Sequence, residues 1–216
     1  MRKVVFLVQR GNFFMKIFQK LKIKWDRKLL RYFFVLAAVF GFSIWQGYYS
    51  AKQNTEEANL IGKELSSQLE FLKNTNSFAL FLIIFLNNYV KSLAVLLMGS
   101  FFGVVPFLMI WFNGSILGIL VFVSMAGLGG VASLSGAEIF WSLFPHGVFE
   151  VPAFLLAGAC GVWLGEKFWR KIRHKEVFKP KLNYCLDIFI KIVTPLLFLA
   201  ALIEVFATPV IAFLLG

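Results

Sequence analysis

The sequence predicts an all-α fold, a polytopic membrane helical bundle with about five transmembrane helices. The chain of 216 residues is 59% hydrophobic and 18% aromatic, whereas soluble domains are about 45–50% apolar. Its apolar residues lie in runs long enough to cross about 30 Å of hydrocarbon. Most of its basic residues lie beside these runs. Together these observations predict a multi-pass protein of the cell membrane.

The N-terminal segment, residues 1–30, is predicted to be a basic amphipathic helix on the cytoplasmic surface. Its run FFMKIFQKLKIKW (13–25) intersperses aromatic and aliphatic residues with lysines, as helices at a membrane interface do. A solvated tail is the alternative interpretation. The segment lacks the apolar core and small-residue cleavage site of a secretory signal peptide, so we expect no cleavage.

A single transmembrane domain is expected over residues 31–216. Gly103 and Pro106 divide the long apolar stretch in its middle, because both residues interrupt membrane helices. The fourth span is expected to be broken near Pro145, since proline removes a helical hydrogen bond. The five predicted spans cover about 31–49, 78–103, 106–126, 137–166 and 184–214.

Residues 51–77 form a polar interval between the first two spans. The run EEANLIGKELSSQLEFLK within it has the periodicity of an amphipathic helix. Its slightly negative charge places this helix outside the cell, since cytoplasmic loops carry the excess of lysine and arginine. Five spans then put the N-terminus in the cytoplasm and the C-terminus outside.

The chain has a net charge of +11. Its basic residues are placed as expected of residues that orient a membrane protein in the bilayer. Ten of the 22 basic residues lie in 1–31 and seven lie in 167–181, and five spans place both groups on the cytoplasmic side. There they can contact anionic lipid head groups. This distribution argues against a nucleic-acid partner. The sequence also contains neither GxSxG nor HExxH, so it lacks these common hydrolase signatures.

Glycine pairs with GxxxG spacing occur three times in the apolar segments. Helices in a membrane associate by close backbone approach, which small residues permit. The pairs therefore predict helix packing within one bundle, with a dimer interface or a hinge as the alternative. The predicted packing residues are Gly99, Gly103, Gly114, Gly118, Gly158, Gly161 and Gly165.

The stretch FPHGVFEVP (144–152) places His146 and Glu150 four residues apart in an apolar segment. On a helix, both side chains project from one face about 6 Å apart along the axis. Glu204 lies far along the fifth span and is expected at the same depth, in the outer half of the bilayer. The surrounding polar cluster is predicted to include Asn87, Asn88, Lys91 and Asn113.

Charged groups inside a membrane are costly, so each needs a partner or a purpose. One interpretation is structural, with Lys91 paired to Glu150 or Glu204. Another is a divalent metal such as zinc bound by His146, Glu150 and Glu204, because imidazole and carboxylate groups suit such ions. A third is a proton or ion pathway through the two glutamates.

The segments FLNNYVKSLAVLLMGSFFGVVPFLMIWFNGSILG (85–118), FPHGVFEVPAFLLAGACGVWLG (144–165) and ALIEVFATPVI (201–211) resemble the stage II sporulation protein M family. The resemblance implies an all-helical, multi-pass membrane protein of a group spread through bacteria and archaea. The family's namesake acts with two partner proteins in a complex associated with peptidoglycan remodelling, where cleavage is attributed to the partners. Many members belong to organisms that never sporulate.

The resemblance extends to particular positions of this chain. Lys91 is not part of the family pattern, which weakens the ion-pair interpretation and favours a metal or ion site. The matching motif positions are Asn87 or Asn88, Gly99, Gly103, Pro106, Asn113, Gly114, Gly118, Pro145, His146, Gly147, Glu150, Pro152, Gly158, Gly161, Glu204, Thr208 and Pro209.

These observations together predict a non-enzymatic scaffold or partner-binding subunit with an intramembrane metal- or ion-binding centre. We expect a homodimer that contacts membrane or cell-envelope proteins. A small transporter or channel for an ion or solute is the alternative. A metal-dependent intramembrane hydrolase is a third possibility, which requires an open coordination position and a bound water.

Overall fold

The computed structural model describes residues 25–73, 75–174 and 179–207. The predicted N-terminal amphipathic helix lies almost entirely outside these residues, as do Thr208 and Pro209. Within the described ranges the secondary structure is helical, which confirms the all-α prediction. The helices are α1 (Arg27–Gln53), α2 (Thr55–Lys73), α3 (Ser77–Phe102), α4 (Val104–Ala126), α5 (Gly136–His174), α6 (Lys179–Ile188) and α7 (Thr194–Leu202).

Two wider, π-helical turns, Phe189–Val193 and Ile203–Ala207, adjoin α7 on either side. Together with α6 and α7 they form one apolar helix, here called the last span. The last span, α1, α3, α4 and α5 are long and apolar enough to cross a membrane. The prediction of five transmembrane helices is therefore confirmed.

The fourth span differs from the sequence-based expectation. The predicted break near Pro145 is wrong, because α5 runs without interruption and contains both Pro145 and Pro152. Each proline removes a single backbone hydrogen bond, from its own position to the carbonyl four residues earlier. The other backbone hydrogen bonds keep the helix intact at Pro145. After Pro152, residues 153–161 of α5 are buried, and neighbouring helices there support the backbone.

The connection between α3 and α4 consists of Gly103 alone. This residue has a positive φ of 43° and donates its backbone N–H to the carbonyl of Gly99 at 2.9 Å. Such left-handed conformations are readily adopted by glycine. Pro106 follows in the first turn of α4, where its missing N–H costs little. The long apolar stretch is thus divided at the predicted glycine.

Glycines mediate the close crossings of α3 with α5 and of α1 with α4. A methyl group added at Gly99 of α3 would lie 2.5 Å from the backbone of Gly161 in α5. At the other crossing, a methyl group added at Gly114 of α4 would lie 2.8 Å from the carbonyl oxygen of Phe40 in α1. Since these distances leave no room for a side chain, the glycines serve packing within one chain.

The helix α2 lies against the turn between α4 and α5. Asn59 Oδ1 accepts a hydrogen bond from the backbone N–H of Gly129 at 2.8 Å, and Ser66 Oγ donates to the carbonyl of Gly129 at 3.1 Å. Gly129 has a φ of 66°, a conformation that favours glycine. These contacts hold the predicted amphipathic helix at one end of the bundle.

At the opposite end of the bundle, Glu166 of α5 contacts the first turns of α1. Its carboxylate accepts hydrogen bonds from Lys28 Nζ at 3.0 Å and from Tyr32 Oη at 2.7 Å. The start of α1 and the end of the α5 span therefore lie at the same end of the bundle. That this end faces the cytoplasm stays a prediction from the distribution of basic residues.

Replacing Glu166 with glutamine is expected to lower the free energy of unfolding by about 1–2 kcal/mol, because charge-assisted bonds to Lys28 and Tyr32 are lost. The control is Asp187→Asn, which removes an exposed ion pair with Lys191 on the same helix. That pair contributes about 0.5 kcal/mol or less. Thermal unfolding in detergent measures both changes, and equal melting temperatures for the two variants would contradict the prediction.

Candidate intramembrane metal centre

The centre is built from two elements, α5 and the last span. His146 and Glu150 lie one helical turn apart on α5, so their side chains share a face. Glu204 lies in the π-helical turn Ile203–Ala207. A π-helical turn contains an extra residue, which rotates the following side chains, and such turns are frequent at functional sites.

The structure brings His146, Glu150 and Glu204 together. Each offers one potential ligand atom, and these three atoms lie within 4.8 Å of one another. All three residues are half-buried. The sequence-based expectation that the three side chains share one depth thus agrees with their positions, while the presence of a metal stays a prediction.

The imidazole of His146 has a buried nitrogen that needs a partner. Among the described residues, its Nδ1 atom is buried and has no hydrogen-bond partner. A buried polar atom without a partner carries a desolvation penalty. A neutral imidazole can bind a metal ion through either ring nitrogen. A cation bound through Nδ1 would therefore satisfy an atom that the described protein groups leave unpaired.

The donor set fits a divalent cation. One imidazole and two carboxylates provide the nitrogen and oxygen ligands that zinc and other transition metals accept. Two ionised carboxylates also balance the charge of a dication. Three protein ligands are typical of a zinc site that keeps a position open for water or another ligand.

The two prolines of FPHGVFEVP each leave one backbone carbonyl of α5 without its usual helical hydrogen bond. Pro145 cannot donate to the carbonyl of Trp141, and Pro152 cannot donate to the carbonyl of Val148. Gly147 leaves open space between the ligand-bearing residues, because a methyl group built there would meet no heavy atom within 4 Å. The stretch therefore combines ligand atoms with an unfilled volume.

The asparagines of α3 lie beside the centre. The Asn88 amide lies close enough to the Glu150 carboxylate to influence it, and Asn87 Nδ2 lies 3.5 Å from Asn88 Oδ1. Groups that hydrogen-bond metal ligands orient them and tune their affinity. Asn113 instead donates from Nδ2 to the carbonyl of Met109 at 2.7 Å. It therefore contributes to a cavity wall and is not a partner of the carboxylates among the described residues.

Lys91 does not form the ion pair that one interpretation of the sequence required. Among the described residues, no carboxylate oxygen of Glu150 or Glu204 lies within 4.0 Å of its Nζ atom. It is close enough to Glu150 to attract that carboxylate electrostatically. Its ammonium group instead lines a cavity beside the centre.

Two cavities meet at the centre. One is an open cleft of about 670 Å³ that reaches α2, and the other is a cavity of about 250 Å³ that reaches α4. Asn88, His146 and Glu150 line both. The polar lining of the cleft comprises Ser67, Gln68, Asn87, Asn88, His146, Glu150 and Glu204.

The sequence analysis missed three of the polar lining residues. Ser67 and Gln68 of α2 reach the cleft, and Ser92 lines the smaller cavity. Serine and glutamine on an amphipathic helix carry no signal that distinguishes a cavity wall from a solvated face. For Ser92, the only signal in the sequence is that it directly follows Lys91, which is already predicted to belong to the polar cluster.

The stage II sporulation protein M family model matches residues 33–209 of the chain. The match covers most of the sequence, including all three candidate metal ligands. The chain belongs to the stage II sporulation protein M family. The resemblance of its motifs to this family is thereby confirmed. Comparisons with curated proteins and with solved structures find no match. This family member is thus a multi-pass membrane protein whose polar centre lies within the shared sequence.

Proposed function

We propose that this stage II sporulation protein M family member binds a divalent cation, such as zinc, inside its membrane bundle. The proposal is supported chiefly by the convergence of His146, Glu150 and Glu204, whose potential ligand atoms lie within 4.8 Å of one another. The unpaired Nδ1 of His146 adds to this support. Because the ligands come from α5 and the last span, the cation would link these two helices.

The role that we propose for the whole chain is a non-enzymatic scaffold. In this role, the protein forms a homodimer and binds membrane or cell-envelope proteins. Support comes from the resemblance to the family's namesake, which acts together with two partner proteins. A cation that fixes α5 against the last span would stabilise the surface that such partners contact.

Transport of an ion or small solute is the second candidate function. It is favoured by the two cavities, which share Asn88, His146 and Glu150 and so form a polar route with the centre at their junction. Zinc and proton flux into proteoliposomes separates the candidates. A scaffold shows no flux, whereas a transporter shows flux that the substitution Glu150→Gln abolishes.

Elemental analysis of the detergent-purified protein tests the cation centre. After reconstitution with zinc, we expect about one zinc ion per chain in the wild type. The variants His146→Ala and Glu204→Gln each remove one ligand and should lose most of the metal. The control is Glu138→Gln, because Glu138 is an exposed carboxylate of α5 that accepts from the backbone N–H of Ser135 at 2.7 Å.

The control should retain the wild-type zinc content. A wild-type protein without metal, after reconstitution with both zinc and manganese, would contradict the proposal. Equal metal content in the wild type and both ligand variants would also contradict it. Either result would leave the three residues as a polar cluster between α5 and the last span.

A further inference from the structure

The smaller cavity carries a positive charge at the middle of a membrane helix. Lys91 lies about 21 Å from the start of α3 and about 17 Å from its end, and α3 contains no other charged residue. An ammonium group at this depth is costly without a counter-charge. Its side chain is exposed and lines the cavity, where a ligand can supply that charge.

Polar groups beside Lys91 face the same space. Ser92 is 1% exposed, and its Oγ atom has no hydrogen-bond partner among the described residues. Asn88 and Asn113 line the cavity from α3 and α4. An ammonium, a hydroxyl and two amides together provide the donors that a carboxylate or phosphate group requires.

The rest of the cavity wall is apolar and extends toward the lipid. Ile116 of α4 lines the cavity and is 54% exposed on the surface of the bundle. The space is therefore bordered by the membrane-facing side of α4. A molecule with an apolar tail can enter from the bilayer through this border. Other apolar lining residues include Leu117, Leu120, Leu143 and Phe154.

The charge of the cavity depends on the neighbouring metal centre. Glu150 and His146 also line the cavity, and an ionised Glu150 alone would repel an anion. With a divalent cation bound, the carboxylates of Glu150 and Glu204 are neutralised. The Lys91 ammonium group then remains as the net charge that an anion meets.

We propose that this cavity binds the anionic head group of a single-chain membrane amphiphile, with Lys91 as its counter-ion and the chain along the apolar wall. The inference rests on the proposed cation centre, because the bound cation removes the repulsion from Glu150. A volume of about 250 Å³ accommodates a head group and part of one chain. Because the cavity borders the membrane-facing side of α4, the occupant comes from the bilayer. The remainder of its chain lies toward the lipid.

Photo-crosslinking of the zinc-loaded full chain in phosphatidylcholine nanodiscs tests this inference. The probe is a palmitic acid that carries a diazirine in its chain, and mass spectrometry locates the labelled peptides. We expect labelling of residues 116–120 of α4 or 143–154 of α5. A fatty alcohol of equal length should label these peptides about tenfold less, because it cannot form the charge-assisted contact with Lys91.

Two variants test the residues that define the cavity. Lys91→Gln removes the counter-ion and should reduce acid labelling about tenfold. Gly147→Leu should also reduce it, since open space surrounds the glycine and a leucine there enters the cavity. The matched control is Gly41→Leu, because Gly41 of α1 also has open space around it but does not line the cavity.

Several outcomes would overturn the inference. These are equal labelling by acid and alcohol, unchanged labelling of Lys91→Gln, and loss of labelling when millimolar acetate or phosphate is added, which indicates a water-soluble anion. Zinc content is measured on the same samples. Zinc binding without Lys91-dependent labelling overturns this inference alone, whereas absence of zinc overturns the cation centre.

Discussion

Substitution of Gly161 by leucine is expected to lower the free energy of unfolding by about 3 kcal/mol or more, because overpacking a close crossing forces backbone shifts. Even the methyl group of an alanine would lie 2.6 Å from the carbonyl oxygen of Val95 and 3.0 Å from Cγ of Pro106. Since the first of these neighbours is backbone, α3 and α5 would have to separate. Gly161→Ala should therefore destabilise the protein as well, though less than leucine.

The control for this prediction is Gly41, which lies on α1. A methyl group there meets no heavy atom within 4 Å, and alanine favours the helix over glycine by about 1 kcal/mol. Gly41→Ala should therefore match or exceed the wild type in stability. Unfolding in detergent, followed by circular dichroism and size-exclusion chromatography, measures the changes. A Gly161→Leu protein with wild-type stability would show that the crossing is looser than described.

Zinc removal is expected to have the second large effect. A ligand that binds only the folded state adds about 2.7 kcal/mol of stability at one hundred times its dissociation constant. Chelation should therefore lower the melting temperature of the wild type by several degrees. Glu204→Gln should show no zinc-dependent shift, because it removes the ligand that the last span contributes.

The specificity of this shift is tested with magnesium and with the Glu138→Gln variant. Magnesium prefers six oxygen ligands in octahedral geometry, so it should not replace zinc at a site that includes His146. Glu138→Gln should respond to zinc as the wild type does. A zinc-dependent shift that persists in Glu204→Gln would assign the effect to another part of the chain.

The sequence predicted the all-α fold class, and the side chains of His146, Glu150 and Glu204 lie together as expected. Long apolar runs predict spans because the thickness of the bilayer fixes their length. The GxxxG pair Gly114 and Gly118 predicts close packing for a similarly general reason, and both glycines lie at the crossing of α1 and α4. The i, i+4 spacing of His146 and Glu150 places them on one face in any regular helix.

Other features depend on contacts that spacing does not reveal. The continuity of α5 through Pro145 shows that losing one backbone hydrogen bond did not end the helix. The placement of α2 beside the cleft depends on the hydrogen bond between Asn59 and Gly129. The π-helical turns at Phe189–Val193 and Ile203–Ala207 depart from the regular helical periodicity that sequence spacing assumes. The partners and the oligomeric state stay predictions.

The single-glycine connection at Gly103 has a consequence for biogenesis. With one residue between α3 and α4, neither helix can complete its insertion while the other remains in the translocation channel. We expect the two to enter the bilayer together as a helical hairpin, so that α3 does not exist as an independent membrane anchor during synthesis. In truncated nascent chains that end within α4, residues of α3 should therefore still crosslink to the translocation channel. In chains that extend well beyond Ala126, the same residues should crosslink to lipid instead.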